Sequence, residues 1–187
     1  NLGLTLSQVI NKNFQMAFLA DIGYQEGLLG TKFNRVYFQD ASVASEKLPS
    51  TRFKIPVGIR ANYFLGDKIV LRSFYRYYYD NWGINSHTIS FEPTYKLTAF
   101  SALSLPYRFY QQSEAKYFKA INQHMISDEY YTSDYDLSKF TSHMIGLGYH
   151  LTDSDKGIFH IKRIHSLDLR YGYYTRNNGL NSHIITL

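Results

Sequence analysis

Apolar and polar residues alternate with a period of two along most of the chain. In Arg52-Phe53-Lys54-Ile55-Pro56-Val57-Gly58-Ile59-Arg60-Ala61-Asn62-Tyr63 the odd positions are apolar and the even ones charged, small or polar. The same beat returns from Ser86 to Leu97. Side chains of a strand point alternately to opposite faces, so each segment has one apolar and one polar face. Charges in mid-segment exclude a strand buried on both sides. The pattern predicts nine strands, near 2–10, 14–26, 52–65, 68–80, 86–97, 99–112, 139–152, 164–176 and 180–187, with almost no helix. Several exceed ten residues, longer than is usual in soluble sheets and suited to a tilted membrane strand.

The connections carry the next clue. Asn11-Lys12-Asn13, Gly66-Asp67 and the Thr98 junction read as tight turns. Between them lie the longer 27–51, 81–85 and 113–138; the 153–163 connection is only moderately short. A transmembrane barrel has this asymmetry, with short turns on the periplasmic side and long loops outside. With Asn11–Asn13 periplasmic, Leu187 ends at the periplasmic face and the first strand starts outside. An odd number of strands is then expected before Asn1, because bacterial barrels have an even total. The expectation is an all-β, antiparallel transmembrane β-barrel. Residues 1–187 would be the C-terminal part of a single barrel domain of about 10–14 strands.

Composition changes the picture in one respect. The 187 residues carry a formal net charge of +5, no Cys, one Trp, 13 Phe and 18 Tyr. No cysteine means no disulfide scaffold and no Cys-based zinc site. The sequence has no run of about eighteen apolar residues, the length a transmembrane helix needs. The mild, distributed basic charge argues against a nucleic-acid partner. The tyrosines say more. They crowd the strand ends assigned to the outside: Tyr75, Tyr77, Tyr78 and Tyr79, then Tyr107 and Tyr110, then Tyr171, Tyr173 and Tyr174. Amphipathic rings at headgroup level form an aromatic girdle, for which Tyr75, Tyr77, Tyr79, Tyr107, Tyr171 and Tyr173 are the candidates. A soluble lipocalin-like barrel or sandwich also alternates; strand length, loop asymmetry and tyrosine placement together argue against it.

The polar face of the strands would then line the lumen, with Arg52, Lys54, Arg60, Arg72, Arg76, Glu92, Lys96, Arg108, Asp168 and Arg170. Cations outnumber carboxylates there. Clustered positive charge suits a pore that favours anions. Cross-strand Arg–carboxylate pairs filling a narrow lumen are the competing reading.

One stretch resembles a known family. Tyr77-Tyr78-Tyr79, then Asp80, then Trp82-Gly83-Ile84 and Ser86-His87-Thr88 look like the hairpin hallmark of outer-membrane barrels of unknown function (domain of unknown function 3570 type). Ser7-Gln8-Val9, Asn34-Arg35-Val36-Tyr37 and Tyr131–Ser138 are similar to it too. The resemblance implies a Gram-negative outer-membrane location and no particular reaction.

Candidate chemistry adds little. Asp80, Ser86 and His87 around one hairpin suggest a hydrolase, but adjacent strand residues face opposite ways, so Ser86 and His87 do not share a site. His143, His150, His160 and His165 lack metal-ligand spacing. Gly146-Leu147-Gly148 and Gly27-Leu28-Leu29-Gly30 have no strand–loop–helix context for a phosphate. No enzyme activity, metal or cofactor is expected. Asp128, Glu129, Asp134 and Asp136 could hold Ca²⁺, though a solvated loop is the simpler reading. The function read from these features is a structural or accessory barrel, its lumen filled by Arg and Tyr side chains and its loops contacting envelope proteins; the alternative is a pore for small, anionic solutes. The expected partners are outer-membrane lipid or lipopolysaccharide, and envelope proteins or lipoproteins held by the loops.

Overall fold

The computed structural model of the chain describes residues 1–153, 158 and 165–187. Its strands are β1 (Leu2–Asn11), β2 (Phe14–Glu26), β3 (Arg35–Tyr37), β4 (Val43–Ser45), β5 (Thr51–Leu65), β6 (Ile69–Asp80), β7 (Asn85–Lys96), β8 (Ser101–Ser104), β9 (Tyr107–Gln112), β10 (Phe140–Thr152), β11 (Ser166–Arg176) and β12 (Asn181–Thr186). All but β3 and β4 form one sheet, in the order β1-β2-β5-β6-β7, then β8 and β9, then β10-β11-β12. Every ladder is antiparallel. No ladder joins β1 to β12 among the described residues.

The nine strands read from the alternation return with ends shifted by at most two residues. The segment 99–112 differs, because Pro106 has no N–H to give its neighbours. Its ladder therefore lapses between β8 and β9, although Tyr95↔Leu103 and Phe91↔Tyr107 keep one register across the gap. The Pro106 carbonyl still accepts from Gly146 N at 2.8 Å. The second difference is the β3–β4 hairpin inside 27–50, where no element is expected from the pattern. The 153–163 connection and His160 lie almost wholly outside the described residues.

Register sorts the side chains into two faces. Lys54 lies opposite Asp80, Arg72 opposite Glu92, Ser90 opposite Arg108, and Gly148 opposite Arg170. The sheet curls around this charged face, where a cavity of about 360 Å³ is lined by Arg72, Glu92, Lys96, His150, Asp168 and Arg170 from β6, β7, β10 and β11. The other, convex face carries bare apolar side chains, with Phe18 48%, Ile89 47% and Ile145 61% exposed. Each such side chain forgoes roughly 1.5–3 kcal/mol if left in water, so a face built of them calls for an apolar surround. The described apolar core lies elsewhere. Val36, Phe38, Trp82, Ile84, Ala115 and Phe140 are all buried, at the end of the sheet where the longer loops emerge.

Candidate functional site

The β6–β7 hairpin anchors that end. Gly83 closes its turn at φ 95°, a conformation that glycine adopts without steric cost. Asp80 is fully buried at the end of β6. Its Oδ1 accepts from Ile84 N at 3.0 Å, and its Oδ2 from Arg52 Nε at 2.9 Å and Tyr78 Oη at 2.8 Å. The Arg52 guanidinium also lies 4.4 Å from the Trp82 ring centroid, and Trp82 Nε1 donates to the Thr51 carbonyl at 3.0 Å. Asp80 is thus the hub of a charge-assisted network that holds the turn to β5.

The two longer loops pack over this hairpin. Lys116 N donates to the Trp82 carbonyl at 2.8 Å, and Tyr117 meets the Trp82 ring edge-on. Glu46, from the β4 side, accepts from Thr31 N at 2.6 Å and from Thr132 Oγ1 at 2.5 Å, tying 27–50 to 113–139. His124 is buried, with Nε2 2.9 Å from the Thr132 carbonyl and Nδ1 3.1 Å from Asp128 Oδ2. Lys119 Nζ approaches the same oxygen at 2.6 Å, and its hydrogen bond holds the Asp128 carboxyl down to about 2. The loops are therefore a folded cap and not solvated chains. Its acids do not converge: Asp128 faces Lys119, Asp134 accepts from Asp136 N, and Asp136 pairs with Arg176 at 2.7 Å. Among the described residues no group of three acids or histidines could hold a metal ion.

The residues proposed for the lumen share the concave face. Arg52 pairs with Asp80, and Arg72 reaches Glu92 at 3.4 Å; His150 pairs with Asp168 at 2.8 Å. Arg60, Arg76, Lys96, Arg108 and Arg170 form no ion pair with any described residue. Tyr75, Tyr77, Tyr79, Tyr107, Tyr171 and Tyr173 lie on the convex face. Tyr78, Tyr110 and Tyr174 do not belong with them: opposite Ser86, Ser142 and Ser182, they stand on the charged side. Ser86 is buried beside Tyr78, whereas His87 points the other way and its Nδ1 lies 2.9 Å from Tyr75 Oη. Asp80, Ser86 and His87 are thus not gathered into one site. His143 and His165 are equally scattered, near Tyr107 and the Asp153 carbonyl.

A repeat escapes the strand-by-strand reading. Tyr75-Arg76-Tyr77-Tyr78, Tyr107-Arg108-Phe109-Tyr110 and Tyr171-Gly172-Tyr173-Tyr174 are versions of one motif. The strands that follow carry Asn85-Ser86-His87-Thr88-Ile89, Thr141-Ser142-His143-Met144-Ile145 and Asn181-Ser182-His183-Ile184-Ile185 at or next to their starts. Tyr77 faces His87, Phe109 faces His143, and Tyr173 faces His183. Tyr75, Tyr107 and Tyr171 place their hydroxyls 2.9, 2.9 and 2.8 Å from the same histidines' Nδ1 atoms. The first and third copies agree even in their turns, Asn81-Trp82-Gly83-Ile84 and Asn177-Asn178-Gly179-Leu180, with Gly179 at φ 92°. In each, the leading asparagine clamps the neighbouring strand. Asn81 exchanges hydrogen bonds of 3.1 and 2.9 Å with the Phe53 backbone, and Asn177 bonds of 3.0 and 3.1 Å with that of Thr141. Sliding the sequence against itself by 96 residues, Tyr75 onto Tyr171, exposes the repeat.

Comparison with known proteins settles the class. Residues 1–185 match the family described as "Protein of unknown function (DUF3570)". The chain belongs to this family. No curated protein matches. Among solved structures, the family member resembles a loop L8 deletion mutant of OmpT, an outer membrane protein of Vibrio cholerae. The TM-score is 0.61 at 12% identity, over 98% of this chain and 50% of the other. In-vitro folded OmpT of the same organism is similar, with TM-score 0.58 at 13% identity and the same coverage. The chain therefore spans about half the length of these relatives. The likeness establishes the fold of an outer-membrane β-barrel, and the bare convex face is the side such a barrel turns to lipid.

Proposed function

We propose that the protein is an outer-membrane passage for small anionic solutes. The cap would lie at the extracellular mouth and Leu187 on the periplasmic side. The observation that carries this reading is the row of unpaired cations on the concave wall, Arg60, Arg76, Lys96, Arg108 and Arg170. A lumen sealed by ion pairs would match each with a carboxylate; an unmatched row raises the local concentration of mobile anions. Edges β1 and β12 would be completed by further strands, because unpaired backbone groups are costly in hydrocarbon. No catalytic role is assigned, as Ser86 and His87 stand on opposite faces. The test is conductance of the intact protein in a planar bilayer under a salt gradient. The expected result is an anion-directed reversal potential that collapses in Arg76→Ala/Arg108→Ala/Arg170→Ala. A silent or cation-selective barrel sinks the proposal.

The cap supports a second reading, an accessory barrel whose loops dock envelope proteins. Asp136 of the loop reaches Arg176 on the concave wall, narrowing the mouth. Crosslinking in native envelopes from a reporter placed at exposed Phe33 or Ile126 tests it, and the absence of any partner adduct would count against it.

A further inference from the structure

The three Tyr–His–aromatic clusters share three properties that their loops do not. They hang from connections as different as 81–84, 113–139 and 177–180, yet their geometry is the same. Each lies at one depth: Tyr77, Phe109 and Tyr173 are three residues before the strand ends Asp80, Gln112 and Arg176. Each marks a boundary on the convex face, with Asn85, Thr141 or Asn181 on the loop side and Ile89, Ile145 or Ile185 on the other. A motif repeated at one depth, under unrelated loops, answers to what surrounds the barrel there.

The chemistry of that surround follows from the imidazole. In every copy Nδ1 is held by a tyrosine hydroxyl, while Nε2 meets no described partner on an exposed side chain. The residues across from the rings are uncharged: Tyr77 and Gln111 for His87, Phe109 and Thr175 for His143, Tyr173 for His183 on the sheet edge. Among the described residues the titratable groups in contact are all tyrosines: the diagonal Tyr75, Tyr107 and Tyr171, and the facing Tyr77 and Tyr173. Among the described residues no carboxylate pairs with His87, His143 or His183, so an anionic acceptor would come from the barrel's surroundings. Aromatic rings on both sides hold the imidazole at the apolar–polar boundary, where amphipathic rings are favoured.

We propose that His87, His143 and His183 are three equivalent headgroup stations, each donating from Nε2 to a phosphate oxygen of a membrane lipid. The tyrosine hydroxyl fixes ring orientation and tautomer, and the charge-assisted bond to phosphate favours the protonated ring. The inference rests on the membrane placement given above, but not on the pore.

The test uses the full-length protein in phosphate-free maltoside detergent. Histidine ring resonances are titrated with pH in the presence of phosphatidic acid or of diacylglycerol with the same acyl chains. Phosphatidic acid is expected to raise the titration midpoints of His87, His143 and His183 together by about one pH unit, a tenfold preference for the charged ring. Diacylglycerol should leave them in place, and His150 should not respond to either. Native mass spectrometry should show one fewer retained phosphatidic acid for each of His87→Gln, His143→Gln and His183→Gln, and three fewer in the triple variant. Unmoved midpoints in the wild type, or a triple variant that retains the full lipid count, would overturn the proposal. The wild-type titration decides the matter even if the triple variant does not fold. Neither readout involves ion flow, so failure here and failure of the pore are told apart.

Discussion

The β6–β7 and β11–β12 hairpins are built from one motif and put to different use. Both turn on a positive-φ glycine, both clamp the preceding strand through an asparagine, and both carry the Tyr–His cluster. Two of the positions at which they part set their roles. Asp80 is replaced by Arg176, and Trp82 by Asn178. In the first hairpin the last residue of β6 supplies the carboxylate and β5 the guanidinium. In the second the strand supplies the guanidinium, which lies 4.0 Å from the Phe140 ring centroid and reaches up to Asp136 in the loop. The first is sealed under the cap, with Asp80 0% and Trp82 2% exposed, while the Asp136 side chain is 74% exposed. The shared part thus serves the wall, and the exchanged part decides whether a hairpin carries a loop structure.

The largest effect is expected from Asp80→Ala. It strands Arg52 beside a buried vacancy and should cost about 3–5 kcal/mol, read as a lower urea midpoint of the detergent-folded protein. Arg176→Gln, its counterpart, should cost no more than about 1 kcal/mol, because its acid partner is largely in water. Equal losses would break the comparison. Next comes Trp82→Ala, at roughly 3 kcal/mol, from a packed aromatic with a bonded indole N–H. Asn178→Ala should stay within about 0.5 kcal/mol by the same assay. Below the Trp82 loss come Gly179→Ala and Gly83→Ala, each costing roughly 1–2 kcal/mol for left-handed backbone. Gly83→Ala should be the worse of the pair. Its new Cβ would lie 2.9 Å from Lys116 Cγ, whereas nothing lies within 4 Å at Gly179.

The smallest effect is a pH response confined to one side of the comparison. The Asp128 carboxyl titrates lower in the folded cap than in an open chain, so its contribution is complete above about pH 4. It is lost as pH falls toward about 2, where the folded carboxyl takes up its proton. The fluorescence of Trp82, the only tryptophan, should change across that window as the cap loosens. Lys119→Met should move the change to higher pH. An unchanged Lys119→Met profile would remove Asp128 as its cause.

The wall was legible in the residues and the cap was not, for a physical reason. Alternation is a local property, so Arg52–Tyr63 alone reveals a strand and its two faces. The cap depends on bonds such as Thr132 to Glu46, 86 residues apart, and on His124 buried among polar partners. Nothing in a short window announces either. Tyr78, Tyr110 and Tyr174 crowd the same strand ends as the girdle tyrosines, and parity alone puts them on the opposite face of the sheet. The triple motif was readable from the start, but only by comparing distant segments of the chain. Of the catalytic candidates, the alternation already separates Ser86 from His87, while the Arg52–Asp80 network had no local signature.

The asparagine clamps bear on how such a wall is assembled. Asn81 and Asn177 each use one side chain to extend a ladder past the end of its strand, reading the position of a specific residue next door. A strand that slipped by a single step would exchange its two faces, setting Arg72, Arg76 or Arg170 against hydrocarbon and Ile89 or Leu169 against water. The slipped hairpin would also leave its asparagine without that partner. Each clamp therefore works as a register lock: its two bonds are made only in the alignment that keeps charge off the apolar face.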